Sequence, residues 1–129
     1  MVDAVYTTLA WTNISIDTHN TYDSGIDKWV APVSGMYQIN AGVGVAAGAG
    51  WDAGELVYLT VDINNVAKMF KRKEIAVTTA TSMFMDPPPI SNAIYLNKGD
   101  QVEVTVYQSN DSDRSTLSGA STYFSVVKQ

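Results

Sequence analysis

The fold is decided by Tyr22–Tyr37, YDSGIDKWVAPVSGMY, where two turns alternate with two extended segments. Asp23-Ser24-Gly25 has the composition of a tight turn, because Gly adopts positive φ freely and Asp or Ser can hydrogen-bond the local backbone. Lys28–Ala31 is a short strand with an aromatic centre. Pro32 ends that strand or places it at an edge, because proline has no N–H for a sheet ladder. Ser34-Gly35 forms the second turn.

A longer strand follows the second turn. Over Met36–Ala46 apolar residues alternate with Gln, Asn and Gly, which is the pattern of a strand with one buried face. The residues predicted to face the core are Tyr37, Ile39, Ala41, Val43 and Val45.

The middle of the chain predicts a hairpin. Glu55–Ile63 alternates most regularly, and Asn64-Asn65 after it is a tight-turn signal. Val66–Arg72 then returns antiparallel. In the first of these strands the inward residues are Val57, Leu59, Val61 and Ile63. In the second, Val66, Lys68, Phe70 and Arg72 share one face, and Ala67, Met69 and Lys71 share the other.

Several other segments have the composition of short strands. They are Ala4–Trp11, a piece around Ile14 and Ile16, Ile90–Leu96, Gln101–Ser109 with Val102, Val104 and Val106 inward, and Ser121–Lys128. Glu74–Met85 is ambiguous and favours strand, while Asp86–Pro89 is a stiff connector. Many short strands without an amphipathic helix predict an all-β sandwich or barrel, formed as one domain over residues 1–129.

Composition excludes several classes of function. The 129 residues are 46% hydrophobic with a net charge of −5, which fits a globular domain and argues against nucleic-acid binding, since that needs a basic surface. The chain has no cysteine, so disulfides and thiolate metal sites are excluded. We expect no membrane partner, because no apolar run has the length of a membrane helix. The lack of a leader pattern fits a virion component that is released by lysis.

Three pieces of the chain resemble the C1q/TNF-like jelly rolls, and they occur in the family's order. In Tyr22–Tyr37 the Tyr-Asp turn, the aromatic, the Pro-x-x-Gly and the second aromatic are similar to the family's opening motif, with Trp29 where Phe is more usual. Ile94–Val104, with its Gly-Asp turn, is similar to the late hairpin of the family. Ser121–Val127 resembles the last strand. The family's collagen-like stalk is absent from the sequence.

The resemblance implies an antiparallel jelly-roll sandwich that forms a homotrimer with its last strands near the axis. Thr18–Asp23 and Ala31–Gly35 are more similar to the heads of bacteriophage fibres and capsid knobs than to animal C1q proteins. We therefore expect a non-enzymatic module at the virion surface, outside the cell. Its partner would be a capsid or fibre protein, as in a capsid-decoration or head-fibre protein. The N-terminal Met and the missing stalk favour a small stand-alone protein over a fibre tip.

The alternative is the carbohydrate- or receptor-binding head of a tail fibre or of a bacterial C1q-like adhesin, whose partner is a host-surface glycan or receptor. Aromatic faces and planar polar groups suit sugars. The candidate residues are Trp51, Tyr58, Tyr107, Asn110, Asp111, Asp113 and Arg114. For Trp51, a loop anchor packed on the barrel is the favoured interpretation.

Self-association has its own indication in the sequence. Leu56, Tyr58, Tyr95 and Tyr107 fall in the outward phase of their strands. A monomer rarely exposes a large continuous apolar patch, and burial against copies in closed symmetry is the common solution. The residues alone imply an oligomer, whereas the trimer comes from the resemblance.

A basic segment is the second candidate contact. Lys68, Lys71, Arg72 and Lys73 provide half of the chain's eight basic residues and suit an anionic partner such as lipopolysaccharide phosphate or an acidic shell protein. The favoured interpretation is a strand edge that lysines protect from unwanted pairing.

No set of residues predicts an enzyme or a resident cofactor. His19 is the only histidine, which limits triads and two-histidine metal sites to unusual variants. Asp111-Ser112-Asp113 spaces oxygen donors as calcium loops do but lacks the remaining ligands, so an ordinary polar turn is favoured over calcium. Met83-Phe84-Met85 is either core or a docking contact.

Overall fold

The computed structural model describes residues 6–9, 22–45, 51–76, 86–109 and 122–129. These residues form two antiparallel sheets, and the predicted all-β sandwich is confirmed. The strands are β1 Thr7–Thr8, β2 Tyr22–Asp23, β3 Lys28–Val30, β4 Gly35–Gly42, β5 Leu56–Ile63, β6 Val66–Glu74, β7 Ile90–Leu96, β8 Gln101–Gln108 and β9 Tyr123–Lys128. The larger sheet has the order β2-β3-β8-β5-β6, and β1 also pairs with β8. The smaller sheet has the order β7-β4-β9.

The first part of the deciding stretch forms a hairpin between β2 and β3. Tyr22 pairs with Trp29 across it, and the Gly25 N–H donates to Asp23 Oδ1 at 2.8 Å. The predicted turn is therefore confirmed, with Asp23 bonding the local backbone as expected. The positive φ lies at Asp27, at 55°, rather than at Gly25.

The second turn is fastened to β4 by a tyrosine. The Tyr37 hydroxyl donates to the Val33 carbonyl oxygen at 2.7 Å, and its ring meets the Trp29 ring edge-on, with centroids 5.1 Å apart. Both rings are fully buried. This geometry gives a physical reason for the spacing of Trp29, the Pro32 turn and Tyr37.

The core between the sheets follows the predicted alternation. In β4 and just after it, all five predicted inward residues have at most 2% of their surface exposed. The predicted inward residues of β5 and β8 are buried as well: Val57, Leu59, Val61, Ile63, Val102, Val104 and Val106. Burial of these side chains is the main stabilising contribution that the two sheets share.

The β5–β6 hairpin departs from the prediction at one point. Asn64 and Asn65 have φ of 51° and 66°, as a two-residue turn with both φ positive requires. A bulge then shifts the register, so that Val61 faces Met69 while Asp62 faces Ala67. Ala67 therefore lies on the outer side with Asp62, while Val66 pairs with the inward residue Ile63. The predicted placements of Ala67 beside Met69 and of Val66 on the face of Phe70 are wrong, because a bulge reverses the alternation of side chains.

Some predictions fall outside the described residues. These concern the strand around Ile14 and Ile16, His19, the segment Met83-Phe84-Met85, most of Glu74–Met85 and the loop residues Asn110, Asp111, Asp113 and Arg114. No helix in the described part of the chain is long and apolar enough to span a membrane.

Candidate binding surfaces

The outer face of the larger sheet carries a row of four aromatic rings. Ring centroids are 5.0 Å apart for Tyr6 and Tyr107, 6.0 Å for Tyr107 and Tyr58, and 6.3 Å for Tyr58 and Phe70. Tyr58 is the direct cross-strand partner of Tyr107, and outward side chains of adjacent strands lie within ring contact. We call Tyr6, Tyr107, Tyr58 and Phe70 the aromatic row.

The two ends of the aromatic row are open to solvent. Tyr6 is 58% exposed and Phe70 62% exposed, whereas Tyr58 and Tyr107 are half-buried. Arg72 faces Tyr58 across the β5–β6 pair, and a hydrogen bond with Tyr58 raises the pKa of Arg72. The row therefore offers large apolar surface with polar groups at its margin, as aromatic binding surfaces commonly do.

A groove runs beside the aromatic row. Its lining residues are Tyr6, Thr60, Asp62, Asn65, Ala67 and Thr105, and its volume is about 250 Å³. Thr60 and Thr105 face each other across β5 and β8 and share a hydrogen bond between their hydroxyls. Both are nearly buried, so they form the floor, while Tyr6 at the side is exposed. We call this the outer groove.

Two carboxylates lie side by side at the end of the outer groove. Asp62 is the cross-strand partner of Glu103. Burial, followed by the nearby Glu103, raises the pKa of Asp62, while a hydrogen bond from Thr60 and the charge of Lys28 act in the opposite direction. Lys28 Nζ lies 3.9 Å from Glu103 Oε1, which partly balances the pair.

Lys28 also bonds Asn65, which lines the groove. Its Nζ donates to Asn65 Oδ1 at 2.6 Å, and Thr8 Oγ1 donates to Glu103 Oε2 at 3.1 Å. Glu103 therefore has both a charge partner and a hydrogen-bond donor. By contrast, Asp62 Oδ1 is buried and has no hydrogen-bond partner among the described residues.

The outer face of the smaller sheet carries polar side chains at its centre rather than a row of aromatic rings. Its middle is polar: Gln38 Nε2 donates to Ser91 Oγ at 3.0 Å, Ser91 Oγ donates to Asn40 Oδ1 at 2.7 Å, and Asn40 Nδ2 donates to Ser125 Oγ at 3.2 Å. These side chains link β7, β4 and β9 across the sheet. Such a ladder holds the sheet together and leaves its two ends to apolar residues.

Exposed apolar side chains flank that ladder. Met36 and Tyr95 are direct cross-strand partners and are 42% and 57% exposed; Val127 and Tyr123 of β9 are 36% and 38% exposed. The Tyr123 ring lies over Gly42, where a Cβ would come within 2.5 Å of Tyr123 Cε1. We call Met36, Tyr95, Tyr123 and Val127 the apolar flank.

The basic candidates lie on β6, which is the last strand of the larger sheet and pairs only with β5 among the described strands. Lys68, Lys71 and Arg72 are exposed and Lys73 is half-buried. Positive charges along an edge strand protect it from pairing with other chains. The position of β6 at an edge agrees with the interpretation of these lysines as protection against unwanted pairing, and an anionic partner stays a prediction.

The structure brings only part of the predicted glycan set together. Tyr58 and Tyr107 are neighbours, but Trp51 is fully buried in the core. We therefore remove Trp51 from the candidate ligand contacts, because a buried ring offers no face to a ligand, and the loop-anchor interpretation agrees with its position. Sequence reasoning missed Tyr6 and Asp62, since only the strand register brings Tyr6 into the aromatic row and Asp62 into the groove beside it.

The described residues contain no group of three or more His, Cys, Asp or Glu that could hold a metal ion. The Lys28 ammonium group lies beside the pair of Asp62 and Glu103. The geometry provides carboxylate acceptors and aromatic rings, which are elements of binding rather than of a nucleophile with an orienting base.

Comparison with known proteins gives a structural relative. No family model matches the sequence, and no curated protein matches it. Among solved structures, the chain is similar to Eiger TNF from S. frugiperda, with a TM-score of 0.53 and 12% identity over 75% of this chain. The fold is a TNF-like jelly roll. The chain covers 60% of the Eiger TNF chain, and a likeness at this identity concerns the fold alone.

The TNF-like fold agrees with the fold implied by the sequence resemblance. Its strands β2 and β3 come from the opening motif, and β9 is the last strand. The segment predicted as a late hairpin is not a hairpin, because its strands β7 and β8 lie in different sheets. The three pieces that carry the resemblance therefore occupy both sheets. The predicted all-β jelly-roll sandwich is confirmed.

Proposed function

We propose that this protein is a non-enzymatic binding module at the surface of a bacteriophage particle, where it acts as a trimeric capsid-decoration or head-fibre protein. The observation that carries the proposal is the apolar flank on the smaller sheet. Several exposed apolar side chains on one face of a sheet are typical of an interaction surface. Copies of the same chain are its simplest partners, because closed symmetry buries the patch in every copy.

The position of the apolar flank supports a trimer that uses the last strand. Tyr123 and Val127 belong to β9, and Met36 and Tyr95 lie on the two other strands of the same sheet. The polar ladder between them can exchange hydrogen bonds with a second copy. A specific interface commonly has this mixture of apolar contacts and hydrogen bonds.

The phage assignment is supported by the sequence resemblance of Thr18–Asp23 and Ala31–Gly35 to phage fibre heads and capsid knobs. The proposed location is the virion surface, outside the cell, and the proposed partner is a capsid or fibre protein. The proposed lack of enzyme activity is supported by the surroundings of Glu103, because Lys28 and Thr8 already occupy its two oxygens.

The test of the trimer is the mass of the purified protein in solution. Wild type is expected to have three times the 14.0 kDa mass of the chain. Tyr95→Asp is expected to dissociate it, because an ionised carboxylate within an apolar interface is costly. Tyr6→Asp is the matched control: Tyr6 is as exposed as Tyr95 but lies on the other sheet. A monomeric wild type would refute the proposed assembly.

The test of the virion role is binding to empty phage capsids. Saturable binding by wild type, with loss in the Tyr95→Asp variant, is expected if the trimer is the decorating form. Lack of binding to capsids together with binding to host glycans would favour the second candidate.

That second candidate is the head of a tail fibre or of a bacterial C1q-like adhesin that recognises a glycan or a receptor. The aromatic row favours it, because four rings across four adjacent strands provide an extended apolar surface on the sheet opposite the apolar flank. The two surfaces can operate in one molecule, with the smaller sheet assembling the trimer and the larger sheet facing a ligand.

A further inference from the structure

We propose that the outer groove is a binding site for one neutral pyranose unit of a saccharide, with the Tyr6 ring against a C–H face of the sugar and Asp62 accepting its hydroxyls. This inference rests on the second candidate function and names its site. The site lies within a single chain.

The volume of the groove suits a ligand of this size. Sites for drug-sized ligands occupy about 300–1,000 Å³, and the outer groove measures about 250 Å³. Its mouth is open toward the aromatic row, since Tyr6 belongs to both. Further units of the same saccharide can therefore continue over Tyr107 and Tyr58.

The hydrogen-bonding groups of the groove suit a ligand that donates hydrogen bonds. A carboxylate has only acceptor oxygens, and Asp62 lines the groove together with Thr60 and Thr105. The hydroxyls of a pyranose donate hydrogen bonds, and the Thr60–Thr105 hydroxyl pair lies on the floor beneath them.

The charges around the groove favour a neutral ligand over an ion. An anion would face Asp62 and Glu103 together, so like-charge repulsion opposes it. For a cation, the Lys28 ammonium already lies 3.9 Å from Glu103, and Arg72 faces Tyr58 in the aromatic row. These neighbours leave hydrogen bonding and ring stacking as the main attractions.

The first experiment is a glycan array that carries neutral, sialylated and amino-sugar glycans, probed with the full chain. The neutral glycan that binds best is then titrated by calorimetry. We expect Tyr6→Ala and Asp62→Ala each to raise the Kd at least tenfold. Ile26→Ala, which removes an exposed apolar side chain from the β2–β3 turn outside both proposed surfaces, is expected to change it less than twofold.

Binding of only sialylated or only amino-sugar glycans would overturn the proposal, as would binding of no glycan or a Kd that Tyr6→Ala leaves unchanged. Circular dichroism and solution mass of each variant show whether its fold and assembly are intact. A trimer that binds no neutral glycan refutes this inference alone. A monomer that binds a neutral glycan through Tyr6 refutes the proposed trimer and leaves the groove as its site.

Discussion

The Tyr37 hydroxyl donates a hydrogen bond to the Val33 carbonyl oxygen and so fastens the Pro32 turn to β4. Tyr37→Phe removes the hydroxyl and keeps the buried ring in edge contact with Trp29. A net intramolecular hydrogen bond contributes about 0.5–1.5 kcal/mol. Val33 is itself 41% exposed, so water can partly replace the lost donor. We therefore expect Tyr37→Phe to lower the free energy of unfolding by about 1 kcal/mol.

Removal of the ring should cost considerably more. Tyr37 is fully buried between the sheets, and truncation of a buried aromatic to alanine commonly costs about 3–5 kcal/mol. The difference between Tyr37→Ala and Tyr37→Phe then gives the contribution of the ring. Tyr6→Phe is the control, because its ring is mostly exposed and surface substitutions usually stay within about 0.5 kcal/mol.

The assay is urea unfolding of all four proteins at one protein concentration, since assembly would couple stability to concentration. The midpoint should fall with little change in the slope, because the surface exposed on unfolding is nearly the same. If Tyr37→Phe were as stable as wild type, the hydroxyl would not fasten the turn to β4. If it cost as much as Tyr37→Ala, the attribution of most of the stability to ring packing would be wrong.

Three further substitutions test other parts of the structure. The fold raises the pKa of Asp62 above its ordinary value of 3.8, so stability is lost as pH rises from there through the folded-state pKa. Asp62→Asn should thus be more stable than wild type at neutral pH and equal to it in acid; the reverse order in thermal melts would contradict this. Hydrogen bonds from Asn64 and the Asn97 backbone lower the pKa of Asp100, so its contribution is lost as pH falls through that lowered value. Asp100→Asn should be less stable at neutral pH and converge with wild type in acid, and a constant difference across a pH series would count against it. Gly42→Ala should displace the Tyr123 ring and lower stability by about 1 kcal/mol, and an unshifted Tyr123 ring resonance in NMR spectra would show that the ring does not lie over Gly42.

The parts of the fold that depend on local chemistry could be predicted. The alternation in β4 and β5 requires only that one face of a strand be buried, and the Asn64-Asn65 turn requires only residues that tolerate positive φ. The proline connector before Ile90 and the Gly-Asp turn after Leu96 predict both ends of β7 as observed. Each of these features is encoded within about ten residues.

The candidate site depends on information that is not local. Tyr6 and Tyr107 are far apart in sequence and meet because β1 pairs with β8 at Thr105 and Val106, an arrangement that strand composition does not specify. The bulge opposite Val61 and Asp62 places Ala67 in the outer groove, and no turn residue marks it. The burial of Trp51 likewise depends on packing between elements rather than on its glycine-rich surroundings.

The measurement that most directly tests the central claim is the solution mass of wild type beside that of Tyr95→Asp and Tyr6→Asp. The claim is that the smaller sheet joins copies of the chain and the larger sheet is left free. It predicts three times 14.0 kDa for wild type and Tyr6→Asp, and a single chain for Tyr95→Asp. A single chain in all three samples, or dissociation by Tyr6→Asp alone, would contradict it.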